Sequence, residues 1–183
     1  MKIMDNLSRL EQLILFILDR AHKKGIKDLS DFQLMKIIYL LEVFSLKYTG
    51  AKFIDEVFAR HKNGPITIHF YQARQILRLK KFLDVEEIQK IDYEYPRRAN
   101  MLGKKRLDKF IFSLGETIFL DNFLDDFLQL NQKQLKELAY KTEPMKEILK
   151  QERNDKDIKK GAIIDFNKVI IDPDVVESYS DEL

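Results

Sequence analysis

Residues 31–71 read DFQLMKIIYLLEVFSLKYTGAKFIDEVFARHKNGPITIHFY, and the fold turns on this stretch. From Phe32 to Tyr48, one apolar set falls at Leu34, Ile37, Ile38, Leu41 and Tyr48, and a second at Phe32, Met35, Tyr39, Val43 and Leu46. Two stripes at helical spacing leave only a narrow polar edge of Gln33, Lys36 and Lys47, so this helix is expected to be covered on most sides and to form the centre of the core. Thr49-Gly50 reads as its stop, because glycine enters the left-handed conformation without a steric penalty. Glu56 to His61 then reads as a short extended piece. Lys62-Asn63-Gly64-Pro65 reads as a turn whose proline opens the next helix.

This ordered series resembles the Panacea domain, the SocA-like antitoxin family, a phage-associated domain long described as of unknown function. The family pattern is a helix with a K-x-x-Y-L core, a T-G after it, an f-d-E-x-F-x-A segment and an x-G-P-[VI] turn. In this chain they stand as Lys36 to Leu40, Thr49-Gly50, Phe53 to Ala59, and Asn63-Gly64-Pro65-Ile66. A further match lies at Tyr140-Lys141-Thr142-Glu143-Pro144-Met145-Lys146, where the family tends to carry a Thr-His and Pro-Trp signature. The chain departs from the pattern with His61 in place of an aromatic and Met145 in place of Trp. The resemblance implies a non-catalytic antitoxin that neutralises a cognate toxin by direct binding, in one relative as an adaptor delivering the toxin to a protease.

Length and composition bound the rest. A chain of 183 residues with 45% hydrophobic and 11% aromatic side chains buries a substantial core without staples. The absence of cysteine removes disulfides, thiolate metal sites and cysteine nucleophiles, and suits a reducing cytoplasm. No run of roughly eighteen apolar residues is present and the first residues do not form a signal peptide, so neither a membrane partner nor export is expected. With 32 basic and 30 acidic side chains, any nucleic-acid argument rests on local clustering.

In chain order, residues 6–24 are expected to form a first helix capped by Asn6 and closed by Gly25, with Leu29-Ser30-Asp31 capping the central one. Residues 66–81 read as a third helix with Phe70, Ala73, Ile76 and Leu77 inward and Arg74, Arg78, Lys80 and Lys81 outward. Residues 82–95 read as one or two strands, 97–106 as a basic loop, and Arg106 to Phe112 as a returning strand. Ser113 and Glu116 have capping-box spacing for a helix to about residue 130, followed by helices over 131–140 and 145–151. Residues 152–160 are a charged linker. The apolar stretch after Gly161 is expected to dock back on the domain formed by 1–151, and Asp172-Pro173-Asp174 to open a last turn. The fold class is mainly α, a compact helical domain with a small antiparallel β-sheet.

Candidate sites are few. Arg60, His61, Lys62, Asn63, Gly64 and Pro65 form the expected partner-binding turn, with the first four presented outward. Arg74, Arg78, Arg97, Arg98, Lys104, Lys105 and Arg106 form a candidate basic patch. With a helix and a ribbon beside it, the patch mimics a winged helix. DNA binding is therefore the alternative reading, although among side chains that read bases only Gln72 and Gln75 lie on that helix. His61 and His69 lack the spacing of a metal site. Asp121 and Asp125 share a helix face that suits a cation but more often is simply solvated. No metal, cofactor or catalytic residue is expected.

Overall fold

The computed structural model describes residues 6–88, 97–154 and 161–172, and the chain divides into two units, 1–34 with 69–130 and 35–68 with 131–183. It is mainly α: six helices carry the bulk of the described residues.

In the first unit, α1 (Arg9–Lys23) begins at Ser8, which accepts from Glu11 N while Glu11 returns the bond to Ser8 N. This reciprocal pair, rather than the expected Asn6, is the N-cap, because only Ser8 has an acceptor three residues ahead. Every residue from Leu10 to Leu18 is buried, including Glu11 and Gln12. Gln12 stays satisfied by accepting from Ile111 N at 3.0 Å and donating to Leu7 O at 3.3 Å. Phe110 and Phe112 both meet Phe16 edge-on.

A three-stranded antiparallel sheet in the order β1-β5-β4 packs beside α1, from β1 (Asp28–Ser30), β4 (Leu83–Ile88) and β5 (Arg97–Leu102). The returning strand thus lies at 97–102, where a loop was expected, and 106–112 is irregular. Gly103 supplies the reason. Its amide donates to Phe82 O at 2.8 Å, and a Cβ there would stand 2.6 Å from Lys81 O. Only glycine permits that approach, which fixes Leu102 opposite Leu83 and draws the residues before it into the ladder. Expected structure at 89–95 lies outside the described residues.

The third helix, α3, runs Phe70–Leu79 and not from residue 66. It packs on α1 with Phe70, Ala73 and Leu77 buried. Helix α4 (Leu114–Phe127) has the expected Ser113–Glu116 capping box. Arg9 pairs with Glu116, Arg20 with Asp121 at 2.6 Å and Lys24 with Asp125 at 2.6 Å. Asp121 and Asp125 are therefore partners of cations in the last turn of α1 and at its C-cap.

Helix α2 (Asp31–Thr49) starts with a reciprocal Ser30–Gln33 pair at its N-terminus. Its remainder belongs to the second unit, where every residue from Met35 to Val43 is buried. That unit adds the hairpin β2 (Phe58–His61) and β3 (Gly64–Thr67), α5 (Gln132–Lys141), α6 (Glu143–Asn154) and a 3-10 turn Phe166–Lys168. Residues 161–164 run antiparallel to β2: Arg60 N donates to Ala162 O at 2.8 Å and Ile164 N to Phe58 O at 2.8 Å. Helix α6 runs to Asn154, into the charged linker expected over 152–160; the remainder at 155–160 and the expected turn after Asp172 lie outside the described residues.

Candidate functional site

Gly64-Pro65 does not open a helix. The register Phe58↔Thr67, Ala59↔Ile66, Arg60↔Pro65 and His61↔Gly64 makes 58–67 a hairpin with Lys62-Asn63 as its two-residue loop. Proline suits both a first helical turn and an edge strand, and here the register decides. Ile68 N donates to Val57 O, so bonded pairs fall at 57/68, 59/66 and 61/64, and Pro65 sits at a position where no ladder donor is required.

Behind the hairpin stands Lys36, assigned by the spacing to the polar edge of α2 yet without any exposed surface. Its Nζ donates to Pro65 O at 2.9 Å. Burial, then the nearby charges of Lys136 and Arg60, lower its pKa to about 7. Gly64 has φ +103°, and a Cβ would stand 2.8 Å from Lys36 Cε and 3.0 Å from a Tyr140 ring carbon. The family-like Lys36 and Gly-Pro elements, 29 residues apart, are thus one contact.

The other family-like residues close the same assembly. Tyr39 hydroxyl lies 2.6 Å from Thr142 Oγ1, which donates to Ala139 O at 2.7 Å. Burial drives the Tyr39 pKa up. The Tyr39 ring meets Phe58 edge-on at 5.7 Å, and Thr67 Oγ1 donates to Glu56 at 3.0 Å. Met145, in the place of the family's Trp, is fully buried. Glu42, which no sequence motif singled out, is also fully buried and accepts from the amides of Phe53, Ile54 and Asp55 at 2.9–3.0 Å. Burial raises its pKa, with those amides opposing the rise. Its spacing in an otherwise apolar stretch was the available signal.

At the tip, His61, Lys62 and Asn63 are exposed, whereas Gly64 and Pro65 are buried. Arg60, expected outward, turns onto the body of the unit. Its Nη2 donates to Glu152 Oε2 at 3.1 Å, while its Nε lies 2.8 Å from Oε1 without hydrogen-bond alignment, and its guanidinium stands 5.5 Å from the Tyr140 ring centre.

The basic patch is only partly assembled. Arg74, expected outward, is buried and paired with Asp31, because the α3 face that carries it packs into the first unit. Arg78, Lys104, Lys105 and Arg106 are exposed, and Lys105 Nζ lies 4.4 Å from the Phe82 ring centre. Arg97 and Arg98 lie in β5, with side chains outside the described residues. Among the described residues no three His, Cys, Asp or Glu side chains gather as a metal site, and no helix is long and apolar enough to cross a membrane.

In this mainly helical protein the family-like residues converge on one hairpin with an exposed tip, held from behind by buried Lys36 and by the Tyr39 ring against Phe58. The family model for the antitoxin SocA-like Panacea domain matches residues 34–145, and the chain belongs to that family. No curated protein and no solved structure matches the chain.

Proposed function

We propose that the chain is an antitoxin-type protein that binds a cognate protein toxin directly and neutralises it without covalent chemistry, with a protease as second partner where it serves as an adaptor. The family membership supports a protein partner. The observation that carries the reading is the exposed His61-Lys62-Asn63 tip on a hairpin whose backbone is held by Lys36. Such a loop contacts a partner at little ordering cost, since its conformation is already set. The test is co-expression with the product of the adjacent reading frame. Rescue of growth by the wild type, and its loss with Lys62→Glu combined with Asn63→Asp while Arg78→Glu still rescues, supports the reading. Absence of toxicity from the neighbour, or rescue indifferent to the tip, overturns it.

The alternative, a winged-helix-like DNA-binding regulator using the basic patch over 74–109, draws on exposed Arg78 and Lys104 to Arg106. It must do without Arg74, whose charge is matched by Asp31. Duplex binding that falls steeply with salt would favour it.

A further inference from the structure

The second unit carries an apolar sheet face that the hairpin tip does not account for. Side chains alternate along a strand, so Val57, Ala59 and His61 point opposite to buried Phe58 and to Arg60. Cross-strand partners share a face: Ile66 and Ile163 both stand beside Ala59, and Ile68 beside Val57. Ile164, opposite Phe58, is buried, whereas Ile163 is 62% exposed, Ile68 50% and Val57 42%. A three-stranded ribbon therefore turns Val57, Ile68 and Ile163, with half-buried Ile66, outward around a small Ala59 that these neighbours cover. Contiguous branched side chains on a sheet face mark an association surface more often than scattered single ones do.

The charges at its two ends say what covers it. The tip end carries exposed Lys62 beside His61. At the other end, one alternation beyond Ile163, stands exposed Asp165, whose carboxylate accepts from Asn167 N at 3.0 Å. A face that is cationic at one end, apolar in the middle and anionic at the other is its own complement when a copy is turned end for end. A two-fold axis parallel to the sheet, midway between the two stacked faces and running across the strands, lays Lys62 of each copy toward Asp165 of the other and stacks the isoleucines between them. We infer that this ribbon face is the contact surface of a homodimer, the occupant being a second copy of this chain.

The test is sedimentation of the purified full chain over a concentration series. The weight-average mass is expected to rise from the monomer value of 21.8 kDa toward twice that. Ile163→Glu enters a two-fold interface twice and is expected to weaken association by about 100-fold, at roughly tenfold per copy. Leu114→Glu, at an exposed apolar position of the first unit, is expected to leave it unchanged. Lys62→Gln and Asp165→Asn each weaken it, and the double variant weakens it by less than the product of the two; Asn at 165 keeps a capping oxygen. Circular dichroism confirms that each variant is folded. A mass fixed at the monomer value at every concentration, a dimer indifferent to Ile163→Glu, or strictly multiplicative effects at 62 and 165 overturns the inference.

Discussion

Lys36 Nζ and the Pro65 carbonyl oxygen meet at 2.9 Å, joining α2 to β3 at a point with no access to water. Burial lowers the amine's pKa from 10.5 to about 7, so in the fold it is about half protonated at pH 7 and becomes largely neutral a unit or more above. Between those values the unfolded chain binds a proton that the folded chain lacks, so stability rises with pH across the window and levels off above the unfolded pKa. At full effect the slope is about 1.4 kcal/mol per pH unit. Chemical denaturation at pH 7.5, 8.5 and 9.5 is expected to show this rise in the wild type and to lose most of it in Lys36→Met. Equal slopes in the two proteins would mean that Lys36 is charged in the fold. At pH 9.5 the variant is expected to be the less stable one, since it leaves the Pro65 carbonyl without this donor.

Gly64→Ala meets two obstacles at once. The φ of +103° disfavours any Cβ, and that Cβ would press on Lys36 Cε at 2.8 Å. Strain and overpacking together are expected to cost about 2–4 kcal/mol. Gly25→Ala isolates the first obstacle, having φ +80° with nothing within 4 Å, and is expected to cost about 1 kcal/mol. Thermal melts of the two variants check the difference, and similar losses would show that Lys36 yields easily.

The contrast between these residues shows how far the sequence could be read. The Ser113–Glu116 capping box and the apolar run of α2 are local signals, and both are found where expected. Gly64-Pro65 is local too, but its chemistry suits a helix start and a strand edge equally, and only the pairing of Pro65 with Arg60 distinguishes them. The place of β5 hangs on how close Gly103 comes to the backbone of residues 81–83, a tertiary fact that hydrophobic periodicity does not carry. Lys36 looked like a solvated edge because a charge at helical spacing carries no mark of a carbonyl 29 residues away. The family pattern had tied Lys36 and Tyr39 to the Gly-Pro turn without giving the physical reason, which is their shared support of one hairpin.

Tyr39 and Thr142 offer a test of that support. Their oxygens lie 2.6 Å apart in the core, and Thr142 also donates to Ala139 O. Tyr39→Phe leaves Thr142 with Ala139 and is expected to cost about 1 kcal/mol. Thr142→Val strands the buried phenol and is expected to cost about 2–3 kcal/mol, since an unsatisfied buried donor pays its full desolvation. With Phe at 39 already, the same Thr142→Val change should be milder, giving a positive coupling in the denaturation cycle. Strict additivity would mean that water replaces Thr142 as the phenol's partner.

Asp31 and Arg74 separate a structural charge from a ligand-binding one. Both side chains are about nine-tenths buried, and they pair within the first unit, where Asp31 lies in the first turn of α2 and Arg74 on α3. Removing one partner leaves an uncompensated buried charge, so Asp31→Ala and Arg74→Met are each expected to lose about 3–5 kcal/mol. Replacing both, as in Asp31→Leu with Arg74→Met, is expected to recover much of that loss, because no buried charge then remains. Arg78→Gln, one turn along on an exposed position, is expected to change stability by less than about 0.5 kcal/mol. If the basic stretch has any affinity for duplex DNA, Arg78→Gln should reduce its salt dependence. Arg74→Met should leave that salt dependence unchanged in whatever fraction remains folded, since an arginine already matched by a carboxylate releases no counterions from phosphate. Fluorescence anisotropy with a labelled duplex at two salt concentrations, run beside melts of the same four variants, decides between the two roles. A salt slope that drops with Arg74→Met would place Arg74 at the phosphate backbone and remove it from the core.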